Sequence, residues 1–124
     1  MQLGCVTLDS ANAEELADFY QKLLGLTTRF TNTDDGVKFV GLTDEAKGLI
    51  LLFQEDGSYV KPVWPTEQGQ QQQMAHLDFF SEDLEKDVNH ALACGAKLAQ
   101  TQYSDKWRVM LDPAGHPFCI ERLS

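Results

Sequence analysis

The sequence predicts an α+β protein built from two βαβββ modules, and three observations carry that expectation. Eight short segments have strand character, two have helical periodicity, and the order strand, helix, three strands occurs twice. The copies repeat at about 70 residues with little side-chain identity between them. The 124 residues suit a single domain, residues 1–124, since domains run to ~150 residues. A chain of this size buries roughly two thirds of its extended surface, enough for a core without disulfide staples. The modules are expected at about 1–54 and 74–124, joined by a linker at 55–73.

The first helix is predicted over Ala13 to Leu24, where Leu16, Phe19, Tyr20, Leu23 and Leu24 share one face. Asn12 is placed to accept from the Glu15 amide while the Glu15 carboxylate reaches back, and Gly25 supplies a left-handed stop. A second helix is expected from about Asp83 to Cys94, with Leu84, Val88, Ala91 and Leu92 in one stripe and Gly95 as its stop.

Strands are predicted at Leu3 to Leu8, Thr27 to Thr31, Val37 to Leu42 and Leu49 to Gln54 in the first module. In the second they are Met74 to Phe80, Leu98 to Gln102, Trp107 to Leu111 and Phe118 to Glu121. Asp112, Pro113, Ala114 and Gly115 have the residues of a type I turn, which would join the last two strands as a hairpin. Glu55 to Gln73 is the one long irregular stretch, carrying Pro62, Trp64, Pro65 and a glutamine run. It links the modules and is a candidate cover for a pocket.

Side chains alternate along a strand, so each strand divides into two faces. Val6 and Leu8 oppose Cys5 and Thr7; Ala75, Leu77 and Phe79 oppose His76 and Asp78; Phe118 and Ile120 oppose Cys119 and Glu121. The aliphatic faces should meet the helices, since a two-layer fold buries both apolar surfaces. The other faces then collect thiols, an imidazole and carboxylates. Gathered on one surface, Cys5, His76, Cys119 and Glu121 would suit a soft divalent metal or a polar ligand. His90 and His116 read as ordinary surface or turn residues.

A formal charge of -9 repels polyanions, which argues against nucleic acid and anionic membranes as partners. Cys5, Cys94 and Cys119 are odd in number and lack metal-binding spacing, which fits free thiols in a reducing compartment. No run approaches the roughly 18 apolar residues of a membrane span, and the first ten residues lack the regions of a secretion signal. A cytoplasmic protein is expected.

Four words of the sequence resemble the vicinal oxygen chelate superfamily, which includes glyoxalase I, bleomycin-binding proteins, fosfomycin resistance proteins and extradiol dioxygenases. They are LADFYQKLLGL at Leu16 to Leu26, MAHLDFFSEDLEKDV at Met74 to Val88, GA at Gly95 and Ala96, and LDPAGHPFCIE at Leu111 to Glu121. With PVWP at Pro62 to Pro65, they look most like small single-domain glyoxalase-like proteins. The resemblance implies that the paired βαβββ modules form a curved mixed sheet open on one side, with helices packed outside. It also implies a homodimer.

Catalytic members of that superfamily hold a divalent metal with a first-strand histidine, a fifth-strand histidine and a last-strand glutamate. Those positions fall on Cys5, His76 and Cys119 here, so only His76 matches, and Glu121 lies two residues past the expected carboxylate. The departure favours a protein without metal or other cofactor, binding a small organic ligand in the concave cup through Cys5, His76, Cys119 and Glu121. Phe53, Trp64 and Trp107 are expected as its apolar walls. The alternative is a metal-dependent lyase, isomerase or dioxygenase using His76 with Cys119 or Glu121. A regulatory dimer with an empty cup is a third class, and the sequence leaves open whether any reaction is catalysed.

Overall fold

The computed structural model describes residues 1–123. The chain divides into two compact units, Met1–Tyr59 and Val60–Ser124, and each is a βαβββ module. The boundary falls inside the expected linker.

The first unit runs β1 (Val6–Ser10), α1 (Ala13–Leu24), β2 (Thr28–Asp34), β3 (Val37–Asp44) and β4 (Leu49–Glu55). Its sheet has the order β1-β4-β3-β2, with β1 parallel to β4 and the other pairs antiparallel. The register sets Val6 beside Leu51, Leu8 beside Phe53, and Val40 and Leu42 beside the same two β4 residues. This is the apolar face that meets α1. Leu16, Phe19 and Tyr20 are buried from the helix, and Val40, Leu42, Leu51 and Phe53 from the sheet. Tyr20 stacks on Phe53 at 5.5 Å, and Phe19 meets Tyr20 edge-on at 4.8 Å. Leu23, on the last turn, is only half-buried.

Helix α1 has the predicted bounds because both ends are chemically specified. Asn12 is extended and its side chain accepts from the Glu15 amide at 3.1 Å. Gly25 closes the helix at φ 66, a conformation that costs residues with a Cβ more than glycine. The reciprocal half of the expected cap differs: the Asn12 amide donates to Ser10 Oγ at 3.0 Å, and the Ala13 amide donates to Glu55 Oε1 at 3.2 Å. The buried Ser10 takes the amide that the reciprocal cap would give to Glu15.

The second unit repeats the plan with β5 (Leu77–Ser81), α2 (Leu84–Cys94), β6 (Lys97–Leu98), β7 (Trp107–Leu111) and β8 (Pro117–Arg122). The strand order β5-β8-β7-β6, with β5 parallel to β8, mirrors that of the first. The serine cap is repeated too. Asp83 accepts from the Lys86 amide, and its own amide donates to the buried Ser81 Oγ at 3.1 Å. Phe118, Ile120 and Met110 form the buried sheet face. Leu84 and Ala91 of α2 are buried, whereas Leu92, expected in the same stripe, is exposed.

The predicted strand Leu98 to Gln102 is two residues long instead of five. Its continuation is replaced by a side chain. The Gln102 carboxamide accepts from the Val109 amide at 2.9 Å and donates to the Val109 carbonyl at 2.9 Å and the Ala99 carbonyl at 2.8 Å. Together with the Ala99 amide, which donates to the Val109 carbonyl at 3.0 Å, the carboxamide satisfies the edge of β7 beyond Leu98. At the β7–β8 turn the Gly115 amide donates to the Asp112 carbonyl, as expected of the turn. His116 is more than a turn residue: its Nδ1 lies 2.8 Å from the buried Asp112 carboxylate, which also accepts from the amides of Ala114 and His116.

Candidate functional site

The chemistry of the second unit concentrates on the sheet face turned away from α2. Leu77 and Phe79 alternate with His76, Asp78 and Phe80, and Phe118 and Ile120 alternate with Cys119 and Glu121. Pairing of β5 with β8 sets Asp78 beside Cys119 and Phe80 beside Glu121, while β7 brings Trp107 beside Glu121. His76 lies one residue ahead of β5, because the strand begins at Leu77 rather than Met74. It still shares the Asp78 side of the alternation.

The result is a compact polar cluster. His76 Nε2 is 3.3 Å from Asp78 Oδ1, and both side chains are about half exposed, at 44% and 48%. Ligand atoms of His76, Asp78 and Cys119 all lie within 4.8 Å of one another. Burial pushes the Cys119 thiol up to about 11; the negative charge of Asp78, its acceptance of the thiol hydrogen, and the charge of Glu121 act in the same direction. Asp78 therefore stands between a thiol held protonated and an imidazole. The aromatic neighbours are the half-buried Trp107 and the exposed Phe80.

Of the residues expected to bind ligand, the structure brings together His76 and Cys119, with Glu121 and Trp107 in register beside them. Cys5 belongs to the first unit, just ahead of β1, exposed and 3.7 Å from Thr7 Oγ1. Trp64 is half-buried in the second unit and meets Tyr103 edge-on at 6.0 Å. Phe53 requires correction as a cleft wall. It is fully buried against Tyr20 on the helix side of its sheet. Asp78 and Phe80 share the His76 face as well, and the strict alternation from His76 is the sequence signal that points to both.

The donor types at the cluster, one imidazole nitrogen, one carboxylate oxygen and one thiol sulfur, are those that hold a borderline ion such as zinc. The thiol is a weak member of that set, because a metal must displace a proton that Asp78 and Glu121 help to retain. Elsewhere in this unit a cavity of about 430 Å³ is lined by Gln102, Tyr103, Ser104, Asp105 and Arg108. No described helix is long and apolar enough to cross a membrane.

Comparison with known proteins identifies the family. The pattern of the glyoxalase-like domain matches residues 5–121. No curated protein sequence matches the chain. Among solved structures, a glyoxalase family protein from Enterococcus faecalis is similar at 18% identity and a TM-score of 0.71, over 97% of this chain and 96% of that one. A glyoxalase/bleomycin resistance protein/dioxygenase family enzyme from Burkholderia phytofirmans has 19% identity and a TM-score of 0.68, over 100% of both chains. A genomically encoded fosfomycin resistance protein from Listeria monocytogenes has 15% identity and a TM-score of 0.70, over 99% of this chain and 92% of that one. At these identities the likeness is one of fold.

Proposed function

This chain belongs to the glyoxalase-like domain family, and on that premise we propose that it binds a small organic ligand, without a metal, on the second-unit sheet face that carries His76. One observation carries the reading: His76, Asp78 and Cys119 form a linked polar cluster beside Trp107, Phe80 and Glu121. A few polar groups beside aromatic surface are the usual make-up of a small-molecule site. His76 is the group that meets a ligand oxygen, donating from its ring while Asp78 orients the imidazole. Trp107 and Phe80 supply apolar contact, with Trp64 as a further wall, and Glu121 adds negative charge. The protonated Cys119 serves as a donor to Asp78, not as a nucleophile.

A second reading, a metal-dependent lyase, isomerase or dioxygenase, is favoured by the same three donors. His76, Asp78 and Cys119 would hold the ion, which would act as a Lewis acid on ligand oxygens. The family also suggests a homodimer, testable by sedimentation across a concentration range, and three free cysteines suit a cytoplasmic protein.

The two readings separate in one experiment. Thermal unfolding is followed across a panel of small aromatic compounds bearing carbonyl or hydroxyl oxygens, with EDTA and then with added zinc or manganese. Stabilisation in EDTA that is lost in His76→Ala supports metal-free binding. Stabilisation or turnover that requires metal supports the second reading.

A further inference from the structure

The two units differ in how they neutralise the cations under their helices. In the first, Arg29 meets Asp18 of α1 at 2.5 Å and Lys38 meets Glu14 of α1 at 2.8 Å. Counted from the N-caps Asn12 and Asp83, Glu14 corresponds to Glu85 and Asp18 corresponds to Asn89. The second helix thus has an amide where the first has the carboxylate that holds an arginine.

The second sheet nevertheless presents two arginines on its helix side. Arg108 is in register with Ile120, and Arg122 follows Ile120 by two residues. Among the described residues neither forms an ion pair. Of the chain's three arginines, the two without a carboxylate line one cavity of about 280 Å³, together with Leu84, Glu85, Val88 and Asn89. Arg108 is pinned there: its Nη1 donates to the Ser104 carbonyl at 2.7 Å and the Trp107 carbonyl at 2.9 Å. A guanidinium held on one nitrogen keeps a fixed fork for a bidentate acceptor.

We propose that this cavity binds a small monocarboxylate, which supplies at Arg108 and Arg122 the charge that Asp18 supplies at Arg29, with its carbon chain against Leu84 and Val88. A dianion is disfavoured because Glu85 shares the lining and the chain carries -9 overall. The volume sets a short chain, since ligand sites start near ~300 Å³. The site lies on the opposite side of the sheet from His76 and stands independently of the function proposed above.

The test is an amide-resolved NMR titration of the full chain with butyrate, with inorganic phosphate as the competing oxyanion. Saturable shifts centred on Leu84, Val88, Asn89, Arg108 and Arg122 are expected, with phosphate weaker. Asn89→Asp, which builds the first unit's carboxylate into the second, should weaken butyrate by ~10-fold or more, as should Arg122→Gln. His76→Ala should leave it unchanged, so failure here and failure of the His76 site are distinguishable. Both cavity variants must keep native spectral dispersion, and two substitutions guard against loss of fold in either. Shifts that do not saturate, butyrate affinity that survives Asn89→Asp and Arg122→Gln, or phosphate binding more tightly at the same amides would overturn the proposal.

Discussion

Asp78 stands directly across the parallel β5–β8 ladder from Cys119, and burial together with this carboxylate raises the thiol's pKa. This pair sets the chemistry of the candidate site, because it keeps a thiol protonated beside the imidazole of His76.

Cys119 should therefore alkylate slowly. With its pKa near 11, roughly one thiol in a thousand is thiolate at pH 8. Iodoacetamide labelling followed by peptide mass spectrometry should find the exposed Cys5 modified well before Cys119. Asp78→Asn should speed Cys119 labelling ~3-fold or more, leaving the burial contribution in place. The sign for stability follows from the same shift. The folded pKa lies above the unfolded value of about 8.5, so the contribution is complete below that pH and lost as pH rises through about 11.

Phe19→Ala should cost ~3 to 5 kcal/mol of unfolding free energy, since Phe19 is 2% exposed and packs on Tyr20. Denaturant titration measures it. A change well under 1 kcal/mol would contradict the core assigned to the first unit.

Gly41 lies under the Phe30 ring, so closely that a Cβ there would fall 2.1 Å from the ring. Phe30 is 42% exposed and its ring can swing outward. Gly41→Ala should therefore fold, with Phe30 displaced and a cost near ~1 kcal/mol, the low end of overpacking. In a Phe30→Ala background the same substitution should cost less, and a double-mutant cycle reads the difference.

Gln102→Ala removes three hydrogen bonds at the edge of β7 and should cost ~2 to 3 kcal/mol, counting about 1 for each. Gln102→Glu should also destabilise, because a carboxylate cannot donate to the Ala99 and Val109 carbonyls. Chemical denaturation of both variants checks this.

Local chemistry made much of the fold legible. Helix α1 and strand β7 have the bounds their residues predict, one through its cap, stripe and terminal glycine, the other as a largely apolar run between a polar loop and a proline turn. The short length of β6 was not legible, because the Val109 amide is paired by a side chain arriving from Gln102 and only its carbonyl keeps a backbone partner, the Ala99 amide. Phe53 misleads for a different reason. The run Leu49 to Phe53 is apolar at every position, so alternation cannot assign its faces, and only the β1–β4–β3 register does. Within the site, His76 and Asp78 share a face by local spacing. Their proximity to Cys119 depends on a non-local parallel register that no residue pattern states.

The most direct test of the proposed binding site uses the fluorescence of Trp107 as sole reporter, in a Trp64→Phe background, since the chain has two tryptophans. The same panel of small aromatic carbonyl and hydroxyl compounds is titrated in EDTA. A saturable change is expected with at least one compound, abolished by His76→Ala in a protein that remains folded. A saturable change that His76→Ala leaves intact, or one that appears only after zinc or manganese is added, would contradict the proposed site.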